Sequence, residues 1–108
     1  MYDLGELTNT KCLLVKENGE MEILNVKNED RENYEVISKL LIDNIGCIRF
    51  QLVRSIRNDI EIYLDDEGKI NDKCKLNEVA SKLFDMTQIP DDIGLFGNVI
   101  FTKKGMFP

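Results

Sequence analysis

Three short segments in the second half of the chain restrict its fold more than anything else in it. Ile62-Tyr63-Leu64 is an apolar run that stops at Asp65-Asp66-Glu67-Gly68, Leu76-Asn77-Glu78 opens an amphipathic stretch, and Gly97-Asn98-Val99-Ile100-Phe101 begins a last apolar run. β-Branched and aromatic residues favour strands, and acid-glycine clusters turn the chain. An Asn followed by Glu supplies a helix cap and a negative charge for the positive end of the helix dipole. The order is therefore strand, turn, capped helix, closing strand. Val79, Ala80, Leu83 and Phe84 recur at helical spacing and give a helix of about residues 77–86 its buried stripe.

The first half follows the same grammar. Residues 11–16 favour β structure, and Asn18-Gly19 is a strong hairpin signal. Residues 21–26 then alternate, with Met21, Ile23 and Asn25 on one face and Glu22, Leu24 and Val26 on the other. Both faces are partly apolar, which implies either coverage on both sides or a packed edge. Asn28-Glu29-Asp30-Arg31 suits a helix start, and Tyr34, Ile37, Leu40 and Leu41 predict an amphipathic helix over about residues 31–43, ending near Asn44 and Gly46.

Beyond Gly46 a second hairpin is expected. Ile48, Phe50, Leu52 and Ile56 alternate on one strand, and Ile60, Ile62 and Leu64 on the next. For both sets to share one face the loop must hold an odd number of residues, because a one-residue slip turns a strand over. A loop of Arg57-Asn58-Asp59 meets that condition, pairing Ile56 with Ile60 and Leu52 with Leu64. Arg54 then falls near Ile62, at the sheet margin or paired with an acid. Gly68 is expected at positive φ, Lys69-Ile70 as a short strand, and Gly97 as a bulge or a close-approach position. The fold class is α+β, in the order β-β-α-β-β-α-β, with two helices packed on an antiparallel or mixed sheet. Residues 1–10 read as a flexible leader and residues 11–108 as a single domain.

Composition narrows the function. The 108 residues carry 20 acids against 14 basic residues, a formal charge of −6, which disfavours nucleic acid and favours a basic partner. No apolar run approaches the roughly 18–20 residues of a membrane span, and the N-terminus lacks the pattern of a signal peptide, so the expected location is cytoplasmic. Histidine is absent and the three cysteines have no close spacing, which argues against a zinc site. Cys12 and Cys47 lie in apolar runs and read as core. Cys74 lies between Lys73 and Lys75, a setting that promotes thiol reactivity, but with no histidine to serve as base it reads as inert.

No catalytic constellation is evident, so the chain is expected not to be an enzyme. Asp65, Asp66 and Glu67 are adjacent and lack the alternating ligand spacing of a calcium loop. Gly94-Leu95-Phe96-Gly97 lacks the pattern of a phosphate-binding loop. Arg49, Arg54 and Arg57 either pair across strands with Asp59 and Glu61 or contact a nucleotide or phosphate. Asp59, Glu61, Asp65, Asp66 and Glu67, with Asp91 and Asp92 elsewhere, are either solvated or a negative face fitted to a basic groove. Met106-Phe107-Pro108 is an apolar tip that docks on the domain or joins an interface.

From residue 11 to residue 104 the chain resembles a small family of domains of unknown function common in phages, plasmids and integrated elements of bacteria. The resemblance rests on Gly46, Asp66-Glu67-Gly68-Lys69, Leu76-Asn77, Ala80 and Gly97-Asn98-Val99. The family often has basic residues after the helix-start Asn, where this chain has Glu78 and Val79. The resemblance implies a mobile-element accessory protein without established catalytic residues. With the acidic balance, it leads to the expectation of a non-enzymatic inhibitor in the host cytoplasm that binds a host defence protein. The most concrete target is a CRISPR-associated nuclease, bound through the acidic face. The alternative is a small-molecule binder that sequesters a nucleotide signal through the arginines. No cofactor, metal, membrane or direct nucleic-acid contact is expected.

Overall fold

The computed structural model describes residues 4–54, 59–68, 74–85 and 94–107. Strands β1 (Lys11–Val15) and β2 (Met21–Asn25) precede helix α1 (Tyr34–Ile45), strands β3 (Phe50–Arg54) and β4 (Ile60–Asp65) precede helix α2 (Glu78–Asp85), and β5 (Val99–Lys103) closes the sheet. The strands lie in the order β2-β1-β5-β4-β3, and every neighbouring pair is antiparallel. The class is α+β, with an antiparallel five-stranded sheet and two helices.

The helices cover opposite faces of that sheet. Cys12, Leu14, Tyr63 and Ile100 pack with Ile37, Leu41 and Ile45 of α1. Their chain neighbours Leu13, Val15, Ile62 and Phe101 pack instead with Ala80 of α2. Side chains alternate across a strand, so the two clusters are the two faces of one sheet. The central strands β1, β4 and β5 are therefore buried on both sides and read as nearly unbroken apolar runs. Strands β2 and β3 form the edges and retain exposed positions.

Local signals place the helices. The Asn33 side chain accepts a hydrogen bond from the Val36 amide at the start of α1, and Gly46 ends it at φ +75°, donating to the Ile42 carbonyl. The helix starts later than residue 31 because Asn28–Asp30 forms a 3₁₀ turn first. Asn77 caps α2 and is fully buried. Its Oδ1 accepts from the Ala80 amide at 3.0 Å, while its Nδ2 donates to the Val15 carbonyl at 2.9 Å and the Gly97 carbonyl at 2.8 Å. One side chain thus ties α2 to β1 and to the approach to β5.

Four expectations need correction. The β3–β4 register places Leu52 opposite Tyr63 and Arg54 opposite Glu61, one residue from the expected Leu52–Leu64 pairing. The premise that both apolar sets share one face fails because each face has its own helix to pack against. Gly68 is not at positive φ; a Cβ there would lie 3.4 Å from the carbonyl oxygens of both Asp65 and Phe96, an ordinary contact distance. Tyr34, counted in the apolar pattern of α1, is 78% exposed. The leader expected over residues 1–10 contributes to the core from Leu4 onward, with Leu7 buried on the α2 face. Lys69-Ile70 lie outside the described residues.

Candidate functional site

The five acids expected to form one face are divided by the strand that carries them. Glu61 and Asp65 are both buried, at 8% and 5% exposure. Glu61 Oε2 accepts from Arg54 Nε at 2.9 Å, and its Oε1 accepts from the Gly105 amide at 3.1 Å. Asp65 Oδ1 accepts from the Glu67 amide at 2.9 Å, with the Cys74 thiol 3.9 Å from Oδ2. Asp59 and Asp66 are exposed but flank opposite ends of β4, about 23 Å apart at the rise of an extended chain. Exposed Glu67 lies 3.8 Å from Arg49. A central strand covered on both sides cannot present a run of acids to one partner.

The arginines are separated as well. Arg49 and Arg54 flank opposite ends of β3, and each has a carboxylate partner, Glu67 and Glu61 respectively. They do not converge on a shared ligand, and Arg57 lies outside the described residues, as do Asp91 and Asp92.

What the fold does assemble is a groove on the α1 side of the β3 edge, with a volume of about 260 Å³. Tyr34, Ile37, Ser38 and Leu41 of α1 form one wall, since they follow one another at helical spacing. Phe50 and Leu52 of β3 form the other wall, with Tyr63 beside them because the register places Leu52 opposite Tyr63. Tyr63 lies between Phe50, at 5.7 Å between ring centroids, and Phe107, at 5.9 Å, in tilted and edge-on geometries favourable to aromatic pairs. The C-terminal tip is thus docked: Met106 is fully buried and Phe107 lines the groove.

Arg31 holds that tip in place. Its guanidinium donates to the Met106 carbonyl at 2.9 Å, to the Gly105 carbonyl at 3.0 Å and to Asn28 Oδ1 at 3.0 Å. Exposed Glu32 lines the groove beside Arg31. Two polar groups lie within the walls. Burial, reinforced by the negative charge of Glu61, pushes the Tyr63 hydroxyl up to about 12, so it stays protonated at neutral pH. Ser38 Oγ is buried without a hydrogen-bond partner among the described residues.

One partial signal of this groove was legible in the sequence, the apolar C-terminal tip. Nothing in the sequence hinted that Arg31 holds it. A second depression, larger at about 460 Å³ and more open, lies near Lys16 and Lys75; Asn98, which lines it, is committed to the Glu17 amide and the Asn44 carbonyl. Burial pushes the Cys12 thiol up to about 12, and the Cys74 thiol lies 3.9 Å from Asp65 Oδ2. Among the described residues no group of three His, Cys, Asp or Glu side chains is arranged to hold a metal ion, and no helix is long and apolar enough to cross a membrane. Comparison with protein-family models, curated proteins and solved structures returned no match.

Proposed function

We propose that this protein is a non-enzymatic accessory protein of a mobile element that acts in the host cytoplasm by binding and inhibiting a host defence protein. The most concrete target class is a CRISPR-associated nuclease. The contact surface in this proposal is the groove between α1 and β3, replacing the dispersed acids of β4. The observation that carries it is an aromatic cleft with exposed Tyr34 and Leu52 on its walls. Exposed aromatics surrounded by charge are the usual make-up of a protein contact.

Size and charge favour a protein partner over a nucleotide. At about 260 Å³ the groove is smaller than the roughly 300–1,000 Å³ typical of small-molecule sites and suits a few side chains. The net charge of −6 disfavours a phosphate ligand and attracts the basic surface that a nucleic-acid enzyme presents to its own substrate. The resemblance to a mobile-element family and the charge of −6 point the same way.

The test is a cleavage assay across a panel of purified CRISPR-associated nucleases, with wild-type protein and with Tyr34→Ala. Inhibition by wild type that is weakened about tenfold or more by the variant supports the proposal. No inhibition and no complex across the panel, or equal inhibition by a folded Tyr34→Ala protein, contradicts it.

A further inference from the structure

We infer that the free edge of β3 is a self-association site, at which two copies of this chain pair antiparallel about Leu52 and join their sheets into one. The site adjoins the groove, and its occupant is a second copy whichever partner the groove takes.

Backbone register decides which groups of β3 are free. The Asp66 amide donates to the Arg49 carbonyl, continuing the β3–β4 ladder by one pair. Residues of an antiparallel strand alternate between facing one neighbour and the other. Gln51 and Val53 therefore direct their amides and carbonyls toward β4. Phe50, Leu52 and Arg54 direct theirs outward, and β3 is outermost in the strand order. Proteins commonly blunt such an edge with proline, a bulge or an inward-pointing charge. Residues 50–54 contain no proline and pair residue for residue with β4. Large apolar side chains mark the same edge: Leu52 is 38% exposed and Ile48, just before the strand, 79%, while β2 at the other edge has none exposed.

The strand is complementary to itself. With a two-fold axis at Leu52, that residue faces Leu52 of the second copy, and Phe50 of each copy faces Arg54 of the other. All three are outward-directed residues, so each facing pair can exchange both of its backbone hydrogen bonds. Phe50 and Leu52 line the groove, and Arg54 follows them on the same face at the period of a strand. The leucines then meet at the axis. The stem of Arg54 lies along Phe50 of the other copy, its guanidinium still held by Glu61. On the reverse face Gln51 stands opposite Val53. Because the axis runs perpendicular to the sheet, both α1 helices lie on one side and the two grooves open on the same face.

Charge fixes both the occupant and the register. Arg54 lies 2.9 Å from Glu61 and Arg49 lies 3.8 Å from Glu67, so the arginine at each end of the edge already has a carboxylate. A basic segment would meet arginines at both ends, and an acidic one would have to displace Glu61 or Glu67. A second copy brings the same balanced ends. The net charge of −6 is carried elsewhere, since β3 has no acidic residue. With Leu52 on the axis the two Arg54 Cα atoms are about 14 Å apart, beyond the Debye length of about 8–10 Å. An axis at Arg54 would set the two guanidinium groups directly opposite, which is destabilising. A single short strand pair buries less than about 1,200 Å², so the association is weak and concentration-dependent.

The test is sedimentation of the purified protein from about 10 μM to about 1 mM, with ¹⁵N spectra at both ends of that range. A concentration-dependent dimer is expected, with shifts centred on the Phe50, Leu52 and Arg54 amides. Leu52→Pro removes an outward amide that makes no bond to β4, and Leu52→Lys sets two ammonium groups on the axis. Each should raise the dissociation constant about tenfold or more while circular dichroism stays native. Under mild oxidation Leu52→Cys should cross-link above the wild-type level, because facing Cα atoms lie about 5.5 Å apart, within disulfide reach. Ile48→Cys, at a more exposed position but off the axis and roughly 20 Å or more from its copy, should not. A monomer throughout the range, a dimer kept by folded Leu52→Lys, or Ile48→Cys cross-linking as readily as Leu52→Cys would each overturn the pairing. All three would leave the groove to its own nuclease test.

Discussion

Replacing Asn77 with alanine removes a side chain that is fully buried and makes three hydrogen bonds to main-chain groups of different elements. Loss of the cap to the Ala80 amide costs about 1 kcal/mol. Depriving the Val15 and Gly97 carbonyls of their donor adds about 1–3 kcal/mol each where no water replaces it. The expected total, about 3–7 kcal/mol, is a large share of the roughly 5–15 kcal/mol that stabilises a domain. At about 4–8 °C per kcal/mol, the melting temperature should fall by at least about 12 °C. Asn77→Asp separates the two roles. It caps as well as Asn, but it has no donor and sets a carboxylate against two carbonyl oxygens. The account requires it to be at least as harmful as alanine in urea unfolding followed by circular dichroism. An Asp variant within about 1 kcal/mol of wild type would show that the cap alone matters and would refute the cross-linking role.

Other perturbations give equally definite outcomes. Cys12 is pushed from its ordinary 9.0 up to about 12 by burial, so the unfolded chain releases its proton first as pH rises and stability is lost between those values. At about 1.4 kcal/mol per pH unit the full effect approaches about 4 kcal/mol. Cys12→Val should therefore show a shallower decline than wild type when melting is compared at neutral and alkaline pH. Gly97→Ala combines φ +79° with a Cβ only 2.9 Å from Cys74 Sγ, whereas Gly46→Ala meets φ +75° in open space; urea titrations should place the former at about 2–4 kcal/mol and the latter near 1 kcal/mol. Glu61→Lys removes the acceptor for Arg54 and Gly105 at a buried position and should cost about 2 kcal/mol or more. The exposed Asp66→Lys, by the same assay, should stay within about 0.5 kcal/mol. Ser38→Ala discards an unpartnered buried hydroxyl in a helix and should raise stability by up to about 1 kcal/mol in thermal melts.

The legible parts of the fold were those specified by local chemistry. Asn18-Gly19 makes the first hairpin with Gly19 at φ +93°, Gly46 ends α1, and Asn77 caps α2. Each signal lies within a few residues of the structure it determines. The β3–β4 register was not legible, because it depends on how many faces of the sheet are covered, a property of the whole chain. Alternation alone allowed Leu52 to be matched with Leu64, and only the presence of a helix on each face explains why Leu52 meets Tyr63 instead. That one-residue difference also concealed the site. In the expected register Leu52 faces the opposite core; in the observed one it joins Phe50 and Tyr63 beneath α1. The acids were misjudged for the same reason, since a strand covered on both sides turns alternate carboxylates inward, as with Glu61 and Asp65. Arg31 and the Met106 carbonyl it holds are 75 positions apart in sequence, and no local pattern announces that contact.

The most direct test of the groove as the binding surface is to measure, by surface plasmon resonance, how a nuclease inhibited by this protein binds two sets of variants. One set, Tyr34→Ala and Leu52→Lys, alters the groove; the other, Asp59→Lys and Asp66→Lys, alters the exposed acids at the ends of β4. The account predicts affinity lost about tenfold or more in the first set and changed by less than about threefold in the second. The reverse pattern, with all four variants folded, would place the contact on the acids and contradict the groove.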